Sequence, residues 1–331
     1  MVISALHGRF SLAVAILCLL LSSAAPRAQA QRVVATIPTV GPPAQIDVDP
    51  IEGRAYIPVN NQILVVSETT NKVVHTLTVG ESLGGVAVNP LTSRLYAADP
   101  ALGEVFVIDT RNWATVATVP VPYGLFIAVD PFSNRIYVSD NMFYVSVIDG
   151  GTNKVLASIV VDSVHCLAVN PITNRIYAAQ GVYPGKVAVI DGNTNLVLAS
   201  VATGGNDPFA IGVDYFRNVV DVANANSIGV INGATNTLSA TIPLSTELSG
   251  VAVDPVANRI YVNNEFTNQV EIVNGQTGQM IGAVSVGESP FLSAIDIFRG
   301  VLYAGDFGMG SPQGWQNAAV SVVALPPPHV R

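Results

Sequence analysis

Beyond its first thirty residues the chain carries three histidines, His75, His165 and His329, and a single cysteine, Cys166. Acid–base, nucleophilic or metal chemistry must therefore be built from these side chains and from carboxylates. His165 follows Asp162 by three residues, a pairing that suits either a general base or a metal ligand. Asp47 lies between Ile46 and Val48 in an apolar run. If buried, its charge requires a hydrogen-bonding partner, a metal or water. These two residues are the catalytic and metal-ligating candidates. A second group joins acids to aromatics: Asp162, Glu81, Asp207, Glu247 and Glu288 with Tyr144, Tyr183, Phe266 and Trp315. Such a mixture fits a cationic group, a divalent metal or a sugar-like ligand, or else forms a solvated acidic rim.

Several familiar chemistries have no signature in the sequence. There is no Cys-x-x-Cys-His for covalent haem and no Cys/His set with zinc-site spacing. No Gly-x-Ser-x-Gly elbow between a strand and a helix and no Gly-x-Gly-x-x-Gly that opens a helix occurs: Gly80-Glu81-Ser82-Leu83-Gly84 has the first spacing but runs straight into the Val86-Ala87-Val88 strand. No cofactor is expected, a divalent metal at Asp47 or His165 being the one exception.

Residues 1–30 read as a secretory signal, with Arg9 in the basic segment, an apolar core from Phe10 to Leu21 and Ala28-Gln29-Ala30 before the cut. The expected product is an exported chain, periplasmic or extracellular, with no membrane span. Loss of Arg9 and Arg27 leaves 13 basic and 23 acidic side chains. That acidity opposes binding to nucleic acid phosphates. Half the residues are hydrophobic and 11% are charged, so the chain is globular rather than disordered.

The elements that position the candidates come from internal repetition. Val86-Ala87-Val88-Asn89-Pro90 leads to Arg94-Leu95-Tyr96, and the phrase returns around Asp130, Asn170 and Asp254. Ile46 to Tyr56 is a fifth copy, and degenerate copies surround Asp214 and Asp296. Anchors at 49, 89, 130, 170, 214, 254 and 296 are 40 to 44 residues apart. Each copy reads as four short strands: an apolar run stopped at Asp/Asn, Arg-Ile-Tyr-Val, a Val-Ile-Asp strand, then a strand after a Gly/Thr/Asn turn. Four strands per repeat make one blade of a β-propeller, all-β and seven-bladed. Val33 to Ile37 has the pattern of a fourth strand but precedes any first strand. It is expected to pair beside residues 320–323 and close the last blade, within a propeller over 31–325 followed by a Pro-rich tail at 326–331.

Across residues 32–325 the chain resembles the YVTN-type β-propeller repeat family, the YncE-like proteins, through Val-Ala-Val-Asp/Asn-Pro…Asn-Arg-Ile-Tyr and Val-Ile-Asp…Thr-Asn-Lys-Val. The resemblance implies the fold and leaves the activity open. Arg54, Arg94, Arg135, Arg175 and Arg259, each five after its anchor, recur too regularly to be a site and are assigned to the scaffold. The tyrosines at anchor plus seven, Tyr56 to Tyr303, are assigned likewise. Function is then expected where copies differ: at Asp47, where siblings have Ala or Gly, at His165-Cys166, and on the loops of the face that holds the acids and aromatics. The leading expectation is a monomeric binding or scaffold module for a small-molecule ligand or protein partner. The alternative is a metal-assisted hydrolase or lyase, lactonase-like, acting at the channel mouth.

Overall fold

The structure, a computed structural model, describes residues 31–326 apart from 141, 246, 312 and 313. The expected signal segment and nearly all of the Pro-rich tail lie outside the described residues. Seven four-stranded antiparallel sheets form the chain, with no helix among the described residues. Six blades run in simple order from the innermost strand outward, as in blade three: Phe126–Asp130, Arg135–Ser139, Tyr144–Asp149 and Lys154–Val160. The seventh takes Pro290–Asp296, Val301–Asp306 and Ala319–Ala324 from the end of the chain and Arg32–Pro38 from its beginning. Val33 pairs with Val323 and Ile37 with Val320, in the expected place.

Local rules make the strands short and regular. The anchor carboxylate or amide turns back on its own hairpin: Asp130 Oδ1 accepts from Phe132 N at 2.9 Å and from Ser133 N at 3.3 Å. The residue just before each second strand then adopts a left-handed conformation, in four blades an asparagine, Asn134, Asn174, Asn218 and Asn258, with φ between 50° and 54°. Asn tolerates that region because its short amide bonds locally. The loop of blade seven between second and third strands holds a small hairpin, Met309–Ser311 with Gly314–Gln316.

Packing runs from blade to blade. Each buried tyrosine lies in a cluster with residues of the following blade: Tyr137 with Val164, Leu167 and Ile176, and Tyr303 with Ile46, Ala55 and Ile57. The arginine row also crosses between blades, since Arg54 donates to Thr110 O at 3.1 Å and Arg135 to Gly192 O. In blade five the tyrosine position is occupied by Asp221, almost completely buried. Burial, reinforced by the charge of Asp214, pushes its carboxyl up to about 7.

Two outcomes follow from this packing. Ile37 is buried against Ile46, Val320 and Val322 at the closure, so Ile37→Ala should cost about 2–4 kcal/mol in urea unfolding. Asp221 holds its proton longer in the native state than in the unfolded chain. Its stabilising contribution is therefore complete below the unfolded value near 4 and is lost as pH rises through about 7. Asp221→Asn should leave the calorimetric midpoint at about pH 3.5 nearly unchanged and raise it at pH 8.5 by roughly 5 °C.

Candidate functional site

The connections between blades meet around one mouth of the central channel. The residues at the start of the innermost strands, five and four before the anchor, supply its wall: Leu125, Phe126, His165, Phe209, Phe291 and Leu292. With Phe307, Leu83 and Gly84 they enclose a cavity of about 360 Å³. Below it a second chamber of about 240 Å³ is lined by Asp47, Cys166, Ser293 and neighbouring backbone. Gln45 and Leu292 border both spaces and form the floor between them.

Gln45 is held there by a peptide-like pair of bonds. Its Nε2 donates to Ile127 O at 2.7 Å and its Oε1 accepts from Ile127 N at 3.0 Å. The side chain thus reaches from blade one to the inner strand of blade three, across blade two. Blade two has Gly84-Gly85 at the crossing point, and a Cβ on Gly85 would lie 2.7 Å from Gln45 Oε1. The missing side chains are what lets the amide pass.

Asp47 faces the lower chamber, where its Oδ2 accepts from Val88 N at 2.8 Å and its Oδ1 from Val48 N at 2.9 Å. Desolvation in this half-buried position raises its pKa to about 6, against the opposing pull of those two donors. The partner the sequence demands is therefore backbone, and Asp47 ties blade one to blade two. Asp47 and His165 border different chambers. Among the described residues no three His, Cys, Asp or Glu side chains converge as metal ligands.

His165 borders the mouth cavity and is its one titratable side chain. The acid beside it is not Asp162 but Asp207, from the connection into blade five, with Nδ1 to Oδ1 at 3.8 Å. That separation is beyond a hydrogen bond, and His165 Nδ1 is buried without a partner. Tyr183 Oη lies 3.5 Å from Asp207 Oδ2. The imidazole packs over Gly181, where any Cβ would collide with it. From His165 an aromatic row crosses the mouth: Phe209 at 5.3 Å between ring centres, then Phe291 at 4.9 Å, Phe307 at 4.3 Å and Trp315 at 6.3 Å. Tilted and edge-on contacts of this kind hold the rings rigid.

The remaining candidates are dispersed. Tyr144 borders a separate groove of about 390 Å³ over blade three, with Tyr123, Met142 and Phe143. Phe266 is exposed. Glu81, Asp162 and Glu247 are exposed, and Glu288 accepts from Asn317 Nδ2 at 3.2 Å. None of the four lines the mouth cavity. Several other rim acids serve as loop staples. Asp99 accepts from the backbone of Glu81, Ser82, Ala101 and Leu102, and Asp140 from that of Met142, Phe143 and Tyr144. Asp306 accepts from Ser321 Oγ at 2.6 Å, and burial pushes its pKa up to about 7.

Against known proteins, the chain is similar to a solved structure of Kuenenia stuttgartiensis hydrazine synthase. The TM-score is 0.72 at 17% identity, covering 82% of this chain and 94% of that one. At this identity the likeness is one of fold. No family model and no curated protein matches the chain.

Gly181→Ala should displace the imidazole while leaving the closed ring intact. The two-dimensional NMR signal of the His165 ring is expected to shift, with those of His75 unmoved and the thermal midpoint within a few degrees of the parent.

Proposed function

We propose that this protein is an exported, non-catalytic binding propeller that takes one small ligand at the channel mouth. The supporting observation is an apolar cavity of about 360 Å³ whose one titratable side chain, His165, has a buried and unpartnered nitrogen. The volume falls in the range of small-molecule sites, which combine apolar walls with a few polar groups that orient the ligand. Here the walls are Leu83, Leu125, Phe126, Phe209, Phe291 and Phe307. The ligand class is an aromatic or compact apolar body with one polar group for His165. Asp207, with Glu81, Asp162 and Glu247 exposed further out, favours neutral or cationic ligands over anions.

Binding rather than turnover is supported by what surrounds the imidazole. The one nearby thiol, Cys166, faces the lower chamber and burial raises its pKa to about 11, far from the thiolate a nucleophile requires. Membership of the YVTN-type repeat family is part of the same proposal, and rests on the repeated phrase. Export rests on residues 1–30.

Trp315, at the end of the aromatic row, supplies the readout once Trp113 is replaced by Phe. Titration with indole, benzylamine and benzoate should change its fluorescence, with benzoate at least tenfold weaker than benzylamine. Phe291→Ala should weaken indole and benzylamine at least tenfold, equivalent to about 1.4 kcal/mol. Absence of saturable binding, or affinities unchanged by Phe291→Ala, would move the site elsewhere. Lactone or ester turnover that disappears in His165→Ala would replace binding with catalysis.

A further inference from the structure

The opposite face of the wheel has a feature that the ligand site does not use. Two residues after each anchor, at the tip of the hairpin between first and second strands, stand Ile51, Leu91, Phe132, Ile172, Phe216, Val256 and Phe298. All seven are exposed, from 50% for Val256 to 79% for Phe298. Single exposed apolar residues are ordinary, but a contiguous apolar zone marks an interaction surface. Because the blades are repeats closed into a ring, equivalent tips stand at equivalent height, and the seven side chains rim one face. Within the rim the lower channel opening is itself apolar, a space of about 240 Å³ bordered by Pro50, Tyr215, Pro255, Ile297 and Phe298.

The tips are rigidly presented. Each anchor accepts a hydrogen bond from the backbone N–H of its own apolar residue: Asp49 from Ile51, Asn89 from Leu91, Asp130 from Phe132 and Asn170 from Ile172, then Asp214 from Phe216, Asp254 from Val256 and Asp296 from Phe298. These anchors are buried, so their carboxylates lie beneath the surface and not on it.

Charge is sorted between the faces. Among the described residues every lysine and arginine except Lys186 lies at the end of the strands that carries the apolar rim. The charges exposed there are Arg32, Lys72 and Lys154, together with Arg111, Arg217 and Arg299, which are ion-paired with Asp109, Asp214 and Asp296, against Glu52. At the ligand-binding face the exposed charges are Glu81, Asp162 and Glu247, against Lys186.

We propose that this face docks on an anionic lipid bilayer, with the seven apolar tips inserted into the interface and the surrounding cations against the headgroups. Insertion of an apolar face combined with attraction to anionic lipid is the physics of monotopic membrane binding. A second copy placed face to face would set cation against cation, which favours the bilayer over a symmetric dimer. The mouth that holds His165 would then point away from the membrane. This surface is independent of the proposed ligand site.

The propeller closes within residues 32–324, so the test uses the chain from Gln31, free of the apolar N-terminal segment. Flotation is measured with phosphatidylcholine vesicles containing roughly 30 mol% phosphatidylglycerol and with phosphatidylcholine alone, at about 0.1 M salt. The protein should float with the anionic vesicles and at least fivefold less with the neutral ones. Combined Phe132→Ser, Phe216→Ser and Phe298→Ser should reduce the partition coefficient at least tenfold. Phe266→Ser, on the other face, should leave it unchanged. If the triple variant fails to fold, Phe298→Ser alone should reduce partitioning severalfold. Equal flotation on both vesicles, no flotation, or flotation unaffected by these substitutions overturns the proposal. So does an oligomer in sedimentation velocity that the triple variant abolishes without any vesicle binding.

Discussion

The antiparallel pairing of Arg32–Pro38 with Ala319–Ala324 is the constraint on which the other features depend. A stack of twisted four-stranded sheets has two terminal blades, each with an apolar flank that only a neighbour can cover. Closing the ring with strands from both ends covers both flanks at once, and it leaves no central sheet edge free to pair with other chains. It also dictates how the chain enters blade one. From Pro38 the backbone must cross from the rim of blade seven to the innermost position of blade one. On that path Gln45 pairs with blade three and Asp47 with blade two. The first strand of blade one is the shortest inner strand, Asp47–Asp49, because the backbone of Gln45 pairs sideways with Gly84 and Val86 of blade two, although Ala44 still donates to Pro58 of its own blade.

Much of this architecture was legible because the repeated residues have mechanisms that act at short range. Asp or Asn followed by Pro stops a strand, and Asn before Arg takes the left-handed conformation. A tyrosine seven residues on fills the gap to the next blade. Each depends on fewer than ten consecutive residues, so periodicity exposes them. Even the closure was readable, since a fourth strand without a first strand has one place to go.

The site was legible only in part, and the reason is also physical. His165 could be picked out as a titratable residue at a position where the siblings are apolar, glycine or serine. Asp207 was among the candidates, but its pairing with His165 could not be read, because it arrives from the next blade while Asp162, nearer in sequence, is exposed. The wall of the cavity was invisible for a different reason: Leu125, Phe209 and Phe291 look like core residues, and only the geometry of the channel leaves one side of each uncovered. The rim acids misled in the opposite direction. Glu81, Asp162 and Glu247 carry the residue type of a binding site, yet they are exposed and do not line the cavity.

Symmetry separates the two faces by the kind of partner each can suit. A small ligand has distinct ends, so a pocket for it must differ from blade to blade, and at the mouth the equivalent positions read Ala, Gly, Leu, His, Phe, Ser and Phe. A lipid surface has no preferred direction within its plane, so nothing is lost by presenting the same apolar tip in every blade. Under the two proposals, the repeat breaks where a discrete molecule would be oriented and persists where the contact would be isotropic. The hydrogen bonds that build each turn also aim its tip outward, so the residues that make the scaffold regular make the lower face uniform. At the upper mouth the inner strand begins without such an anchor, and the residues there are free to diverge.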